Sequence, residues 1–484
     1  MHQAVRRACA RELVGLLASQ TALRKSAVRL LEKNAYRLIV ERNRHDRPRG
    51  VLEEIFAYFR ALLHGMDRAV ERGYMSKHVV KRMAEVFMGN VILRSTEDPA
   101  LLRYAGARTP KFLLISPTGR CNLRCAGCYA KSDPACQGSL DAAVFDRILT
   151  EKRTLWGSHF TVVSGGEPLL WRDGDTDLID LASRHESEFF MFYTNGTLID
   201  DTLAARMAGA GNVTPAVSVE GFREHTDARR GAGTHERLLQ AFDTLRRHGV
   251  PFGISATATR DNWDTITSEP FVEFYFDKQG AAYGWLFQYM PIGRGQSLDA
   301  MVSPEDRVEM LRRIRRFVHE RGVFYADFWN NGPISCGCIS AGRPGGYFHI
   351  DWNGEITPCA FVPYSTDNIY TIYSRGGDLN TALESPLFRK IRQWQDDYGF
   401  AKPAEEVDNW LCPCVIRDHF DVLRNAVLES GAEPVNDEAA WAISDHEYGS
   451  RLTRYGDRLK CLMDPIWTED FACLSSRPNG HRTG

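Results

Sequence analysis

Apolar positions follow two different periods along this chain, and the change between them divides it. Val51, Ile55, Phe59, Leu62, Met66 and Val70 recur at helical spacing, as do Ala27, Val28, Leu31, Ala35, Leu38 and Ile39 before them. The run His45-Asp-Arg-Pro-Arg-Gly50 separates these stripes, and Ser76 is placed to cap a third helix. From residue 112 the pattern changes to short apolar runs with helical stretches between them. Phe112-Leu-Leu-Ile-Ser-Pro-Thr118 and the run from Phe160 to Val163 read as buried strands. Others end at Tyr193-Thr-Asn-Gly-Thr197, Ser218-Val-Glu-Gly221, Ser255-Ala-Thr-Ala-Thr-Arg260 and Phe287-Gln-Tyr-Met-Pro291. Six strands with helical crossovers predict a parallel α/β arrangement, because parallel neighbours need long connections. Further on, Tyr347 to Phe361 is apolar on both sides of Asn353-Gly354, which predicts a hairpin. Helical spacing returns at Val422, Leu423, Ala426 and Val427, and Ser475 to Gly484 reads as a disordered tail.

The strand ends carry the chemistry. The first strand runs into Arg120-Cys-Asn-Leu-Arg-Cys-Ala-Gly-Cys-Tyr129, where Cys121, Cys125 and Cys128 share one loop. Three thiolates so spaced hold three irons of a cubane cluster and leave the fourth iron open. Zinc also takes three or four thiolates, and Cys136 is near enough to complete such a set. The second strand ends in Gly165-Gly166-Glu167-Pro168, which offers a ligand close backbone approach and one anion.

The cysteine loop followed by Gly165-Gly166-Glu167-Pro168 resembles the radical S-adenosylmethionine (SAM) superfamily. The resemblance implies a partial (β/α)6 TIM-like barrel. It also implies a [4Fe-4S] cluster on Cys121, Cys125 and Cys128 that chelates SAM and reduces it, giving a 5′-deoxyadenosyl radical. By position, Gly165, Gly166 and Glu167 match the motif that receives the SAM amino group. Ser218 and Glu220 match the polar pair near the ribose and methionine carboxylate. Arg230 is placed to clamp that carboxylate, with a surface arginine as the alternative; Tyr129 and Asn195 complete the expected cofactor contacts. Gly127 departs from the family pattern, which often has an aromatic residue just before the third cysteine.

A second group follows the barrel: Cys336, Cys338, Cys359, Cys412 and Cys414. With the hairpin, it resembles the auxiliary-cluster domains called SPASM or, in shorter form, Twitch. The downstream cysteines are fewer than SPASM requires, so the resemblance implies one auxiliary [4Fe-4S] cluster. Its ligands are Cys338, Cys359 and Cys414, with Cys412 or Cys336 as a fourth, or an open iron; a zinc knuckle is the alternative. Cys9, Cys136, Cys461 and Cys473 have no partner pattern and read as small core hydrophobes. Tyr289, Arg294, Asp327, Trp329 and His419 are candidate substrate contacts without a motif behind them.

The organisation is therefore a helical N-terminal domain (1–105), the barrel (106–325), a small hairpin and helix auxiliary-cluster domain (326–425), and a helical extension with a tail (426–484). The chain has 484 residues, 43 % of them hydrophobic, which is enough for more than one core. A net charge of −2 argues against nucleic acid as a general partner. Twelve cysteines in metal-like groups, without a signal peptide, predict a reducing cytoplasm. No apolar run is long enough to span a membrane. Residues 1 to 50 carry 12 Lys and Arg against 4 Asp and Glu, so peripheral contact with an anionic membrane stays open beside a solvated face. The N-terminus shows neither the strands of a winged-helix peptide-recognition module nor a cobalamin motif. The expectation is a radical SAM oxidoreductase or maturase served by a low-potential donor of flavodoxin or ferredoxin type. Its substrate is a peptide or small molecule, with a lipid as a further option; a non-catalytic zinc or iron-sulfur scaffold is the alternative.

Overall fold

The computed structural model describes residues 21–43, 46–93 and 109–472. Cys9, Cys473, the first 20 residues of the basic segment, and the tail lie outside the described residues. Three N-terminal helices come first: α1 (Thr21–Tyr36), α2 (Arg49–Glu71) and α3 (Lys77–Met83). Ser76 caps α3 as expected, its side chain accepting from the Val79 N–H at 3.2 Å. These helices do not stand apart. Ala57, Tyr58, Ala61, Val79 and Met83 join the same apolar core as the strands. A Cβ on Gly65 would lie 2.0 Å from the Ala282 carbonyl oxygen, so only glycine lets α2 sit this close to the sheet.

Ten strands form one sheet: β1 (Phe112–Ile115), β2 (Phe160–Val163), β3 (Phe189–Thr194), β4 (Val213–Val219), β5 (Gly253–Ala258), β6 (Tyr283–Gln288), β7 (Tyr325–Asp327), β8 (His349–Ile350), β9 (Glu355–Thr357) and β10 (Asp367–Asn368). Their order is β10-β9-β8-β1-β2-β3-β4-β5-β6-β7. From β1 to β7 all neighbours are parallel. The first six are the expected strands of the partial barrel. Its crossovers include α4 (Ala142–Trp156), α5 (Leu178–Arg184), α6 (Asp201–Ala210), α7 (Arg223–Arg230) and α8 (Thr234–His248).

Two extensions of the sheet were not foreseen. The stretch from Phe324 to Gly332, read as a loop, contributes β7, whose three residues are all buried against β6. On the opposite side the Asn353-Gly354 hairpin forms as expected, with Gly354 at φ +81°. Its first strand, β8, then pairs in parallel with β1, Leu114 against His349 and Ile115 against Ile350. The hairpin thus continues the barrel sheet. Helix α9 (Pro304–Arg321) leads into β7, while α10 (Pro386–Gln395), α11 (Phe420–Ser430), α12 (Asp437–Ser444) and α13 (His446–Ile466) follow the hairpin. Among the leftover cysteines the core reading fails twice: Cys461 is exposed and Cys136 half-buried.

Candidate active site

Alternate residues of the strands face inward and line a cavity of about 510 Å³, among them Phe112, Phe160, Tyr193, Ser255 and Phe287. Period-two alternation puts their neighbours against the crossover helices. Cys121, Cys125 and Cys128 line one part of this cavity, and Cys338, Cys359 and Cys414 line another.

The first cysteine loop is held from several directions. The Cys121 N–H donates to the Asp133 carbonyl at 3.1 Å, and the Asn195 amide reaches the Cys121 sulfur at 3.8 Å. Arg229 donates to the Ala126 carbonyl at 3.1 Å, and the Arg229 carbonyl accepts from the Ala126 N–H at 3.0 Å. Arg294 donates to the carbonyls of Cys125 at 3.0 Å and Ser132 at 2.6 Å. Arg294 is therefore a clasp on the loop and does not line the cavity as a substrate contact would. Arg229 escaped the sequence reading, although the Arg-Arg doublet before Gly231 was its signal. Gly127 has φ +64°, and a Cβ there would meet the Tyr289 ring at 2.7 Å. The aromatic packed at this point of the loop thus comes from the end of β6.

Gly165 and Gly166 line the cavity, but Glu167 does not. Its buried carboxylate accepts from the Thr194 hydroxyl at 2.7 Å and from the N–H groups of Asn195 at 2.7 Å and Leu169 at 3.2 Å. Burial pushes Glu167 up to about 7 despite these donors. The side chain expected to meet a ligand instead locks the end of β2 to the end of β3. Glu220 likewise turns inward. It pairs with Arg229 at 2.6 Å and accepts from Arg230 Nε at 2.9 Å and the Thr257 N–H at 3.2 Å. Arg230 lines the cavity and is largely buried, which removes the surface reading. Burial opposes its charge, but Glu220 and the thiols of Cys125 and Cys128 hold its pKa above the usual arginine value. Ser218 lines the cavity and pairs with Ser255 at 3.2 Å.

Tyr129 joins the two cysteine groups. Its hydroxyl meets Ser164 at 2.8 Å, its ring packs on Phe361 at 5.2 Å, and both Cys128 and Cys359 act on its ionisation. The Cys359 sulfur and the Tyr347 hydroxyl share a hydrogen bond at 2.9 Å, and Trp329 hydrogen-bonds the Cys414 thiol. Cys412, by contrast, is buried in a separate apolar cluster with Val51, Trp410 and Leu459. Cys336 sits off the cavity beside Arg47 and Arg343. Neither lines the cavity with the other three. Asp327 and Trp329 line the cavity, whereas His419 is turned away, with its ring between Trp394 and Tyr398 and its Nε2 on the Cys412 carbonyl at 2.8 Å.

Residues 115–268 match the Radical SAM superfamily. The chain therefore carries a radical SAM domain over that stretch. It is 26 % identical over 327 residues to an AdoMet-dependent heme synthase of Methanosarcina barkeri, covering 61 % of this chain and 88 % of that one. A mycofactocin maturase of Mycolicibacterium smegmatis is 28 % identical over 338 residues, covering 67 % and 79 %. Among solved structures, Streptococcus suis SuiB bound to its precursor peptide SuiA aligns with a TM-score of 0.49 at 17 % identity, covering 66 % and 72 %. The radical SAM superfamily uses a [4Fe-4S] cluster together with SAM, and the protein is an enzyme. The residues present fit these groups. Burial pushes Cys121, Cys359 and Cys414 each up to about 12, so a thiolate at any of them needs a positive partner such as cluster iron. The cavity is also large enough for an organic ligand of SAM size.

Proposed function

We propose that this radical SAM enzyme removes hydrogen from an unactivated carbon of a peptide, and that a second cluster on Cys338, Cys359 and Cys414 serves the same cavity. The observation that carries this reading is the presence of two cysteine trios on one largely apolar cavity. When bound, the first cluster and SAM supply a 5′-deoxyadenosyl radical, drawing on an external low-potential donor of flavodoxin or ferredoxin type.

The chain's own residues position and enclose. Cys121, Cys125 and Cys128 hold the first cluster. Arg230, steadied by Glu220, presents its guanidinium to the methionine carboxylate. Gly165 and Gly166 allow close backbone approach for the amino group, Asn195 orients the cysteine loop, and Ser218 serves the ribose. The aromatic walls exclude water from the reacting centre. In the second set, Cys412 and Cys336 do not line the cavity, so Cys338, Cys359 and Cys414 would hold the cluster with three thiolates from this chain. An apolar cavity suits a peptide side chain better than a small polar metabolite, whose groups would go unpaired. It suits a carboxylated tetrapyrrole less, because the two arginines that line the cavity are already engaged, Arg229 with Glu220 and Arg230 with the methionine carboxylate. Clusters and thiols of this kind belong in a reducing cytoplasm. Among the described residues no helix is long and apolar enough to cross a membrane.

Iron and sulfide analysis of anaerobically reconstituted protein tests the assignment. The wild type is expected to hold about eight irons per chain, Cys359→Ala about four, and Cys412→Ser about eight. Zinc without sulfide would overturn the reading.

A further inference from the structure

Among the described residues, helix α1 packs on the N-terminal layer through α2. Its inner side is fully engaged with α2: Tyr36 packs edge-on to Phe56 at 5.1 Å, Arg24 pairs with Asp67 at 2.5 Å, and Ala35 is buried. Its outer side, continued through Arg37–Glu41, is not. Leu23 is 48 % exposed, Leu30 60 %, Leu31 37 % and Leu38 52 %. Four of the six large hydrophobic side chains exposed among the described residues thus fall on this one short segment. Helical spacing gathers them into a single stripe. Beside it runs a ladder of cations at every fourth position: Lys25, Arg29, Lys33 and Arg37. Lys25 pairs with Glu71 at 3.0 Å. Among the described residues no ion pair forms at Arg29, Lys33 or Arg37, and all three are exposed.

We propose that this outer face docks on an anionic lipid bilayer, with α1 lying in the plane of the interface. Charge selects the occupant. Residues 1–20 bring Arg6, Arg7 and Arg11 against only Glu12, so that segment would lay positive charge on a positive ladder. A second copy of the chain would do the same. An acidic surface is complementary to the ladder, and the leucines stand on a convex helix, a shape that the fluid headgroup boundary accommodates. Cations beside an inserted apolar stripe are the combination that gives reversible binding to negative lipids. Docking needs neither cluster nor SAM, so it stands or falls independently of the radical chemistry.

The test is co-sedimentation of the full chain with phosphatidylcholine vesicles, with and without phosphatidylserine. The wild type is expected to bind the anionic vesicles at least about tenfold more strongly than the neutral ones, and salt at about 0.5 M is expected to release it. Arg29→Glu/Lys33→Glu/Arg37→Glu is expected to abolish the preference. Leu30→Ser/Leu31→Ser is expected to weaken binding about tenfold or more with helix content unchanged, since all five side chains are exposed. Equal binding to both vesicle types, or an unchanged charge-reversal variant, overturns the proposal. So does a wild-type dimer in light scattering that the leucine variant makes monomeric while neither binds vesicles, which would assign the face to a second copy or another protein.

Discussion

Glu167 and His349 show how burial decides what a residue does. The motif made Glu167 legible as a site residue, yet its three acceptor contacts go to Thr194, Asn195 and Leu169, contacts that depend on where β3 ends. No local pattern carries that information. His349 drew no notice in the sequence, but it is buried between β1 and the hairpin, with Nε2 on Ser116 at 2.9 Å and Nδ1 on Thr357 at 3.0 Å. Burial pushes its pKa from 6.5 down to about 3, so the fold holds a neutral imidazole. The native state therefore binds fewer protons than the unfolded one between these values. Its stabilising effect is complete above about pH 6.5 and is lost as pH falls toward 3. In denaturant unfolding, the stability of the wild type relative to His349→Gln is expected to fall by up to about 1.4 kcal/mol per unit below pH 6.5, since proton uptake by the other buried groups is common to both proteins. Identical pH profiles for the two proteins would show that His349 is not the proton-linked group.

The first cysteine loop and the strand that follows it meet through glycine. A Cβ on Gly166 would lie 2.1 Å from the Arg120 carbonyl oxygen, with no flexible side chain to yield. The Gly166 and Glu167 N–H groups donate to the Thr118 and Arg120 carbonyls, each at 2.8 Å, and so fasten the two elements together. Gly166→Ala is accordingly expected to shift the loop and to cost at least about half of the first cluster's iron, read by iron analysis after desalting. Full iron retention would show that the contact is not needed to shape the loop. The six long strands were legible because their apolar runs end in turn signals. β7 was not, since its three buried residues sit in a run of aromatics and amides with no alternation to read. The hairpin was legible from Asn353-Gly354, but its pairing with β1 is a long-range contact that leaves no local trace. Cys338, Cys359 and Cys414 share the cavity while Cys412 does not, a division set by packing around Trp410 and beyond the reach of spacing.

At the scale of the molecule, the barrel and the later cysteine segment are locked by buried charge. Arg307 on α9 pairs with Asp418 at 2.6 Å and 3.1 Å, both side chains being fully buried, and Asp418 accepts from the Cys414 N–H at 3.1 Å. Arg417 extends this network to the cavity wall by donating to the Gln288 amide oxygen at 2.6 Å, and the Gln288 amide in turn donates to Asp327. Removing one partner strands the other charge. Arg307→Met is expected to lower stability by about 3 kcal/mol in denaturant unfolding, and a change below about 1 kcal/mol would contradict the role given to the pair. The N-terminal helices, the barrel and the hairpin share one apolar core, so the two cysteine trios are fixed relative to one another. The most direct test of the central claim is 5′-deoxyadenosine formation, measured by mass spectrometry on anaerobically reconstituted protein with dithionite and SAM, beside Cys128→Ala. Formation is expected in the wild type and none in the variant. Equal formation by both, or none from wild-type protein that carries the first cluster, would contradict it.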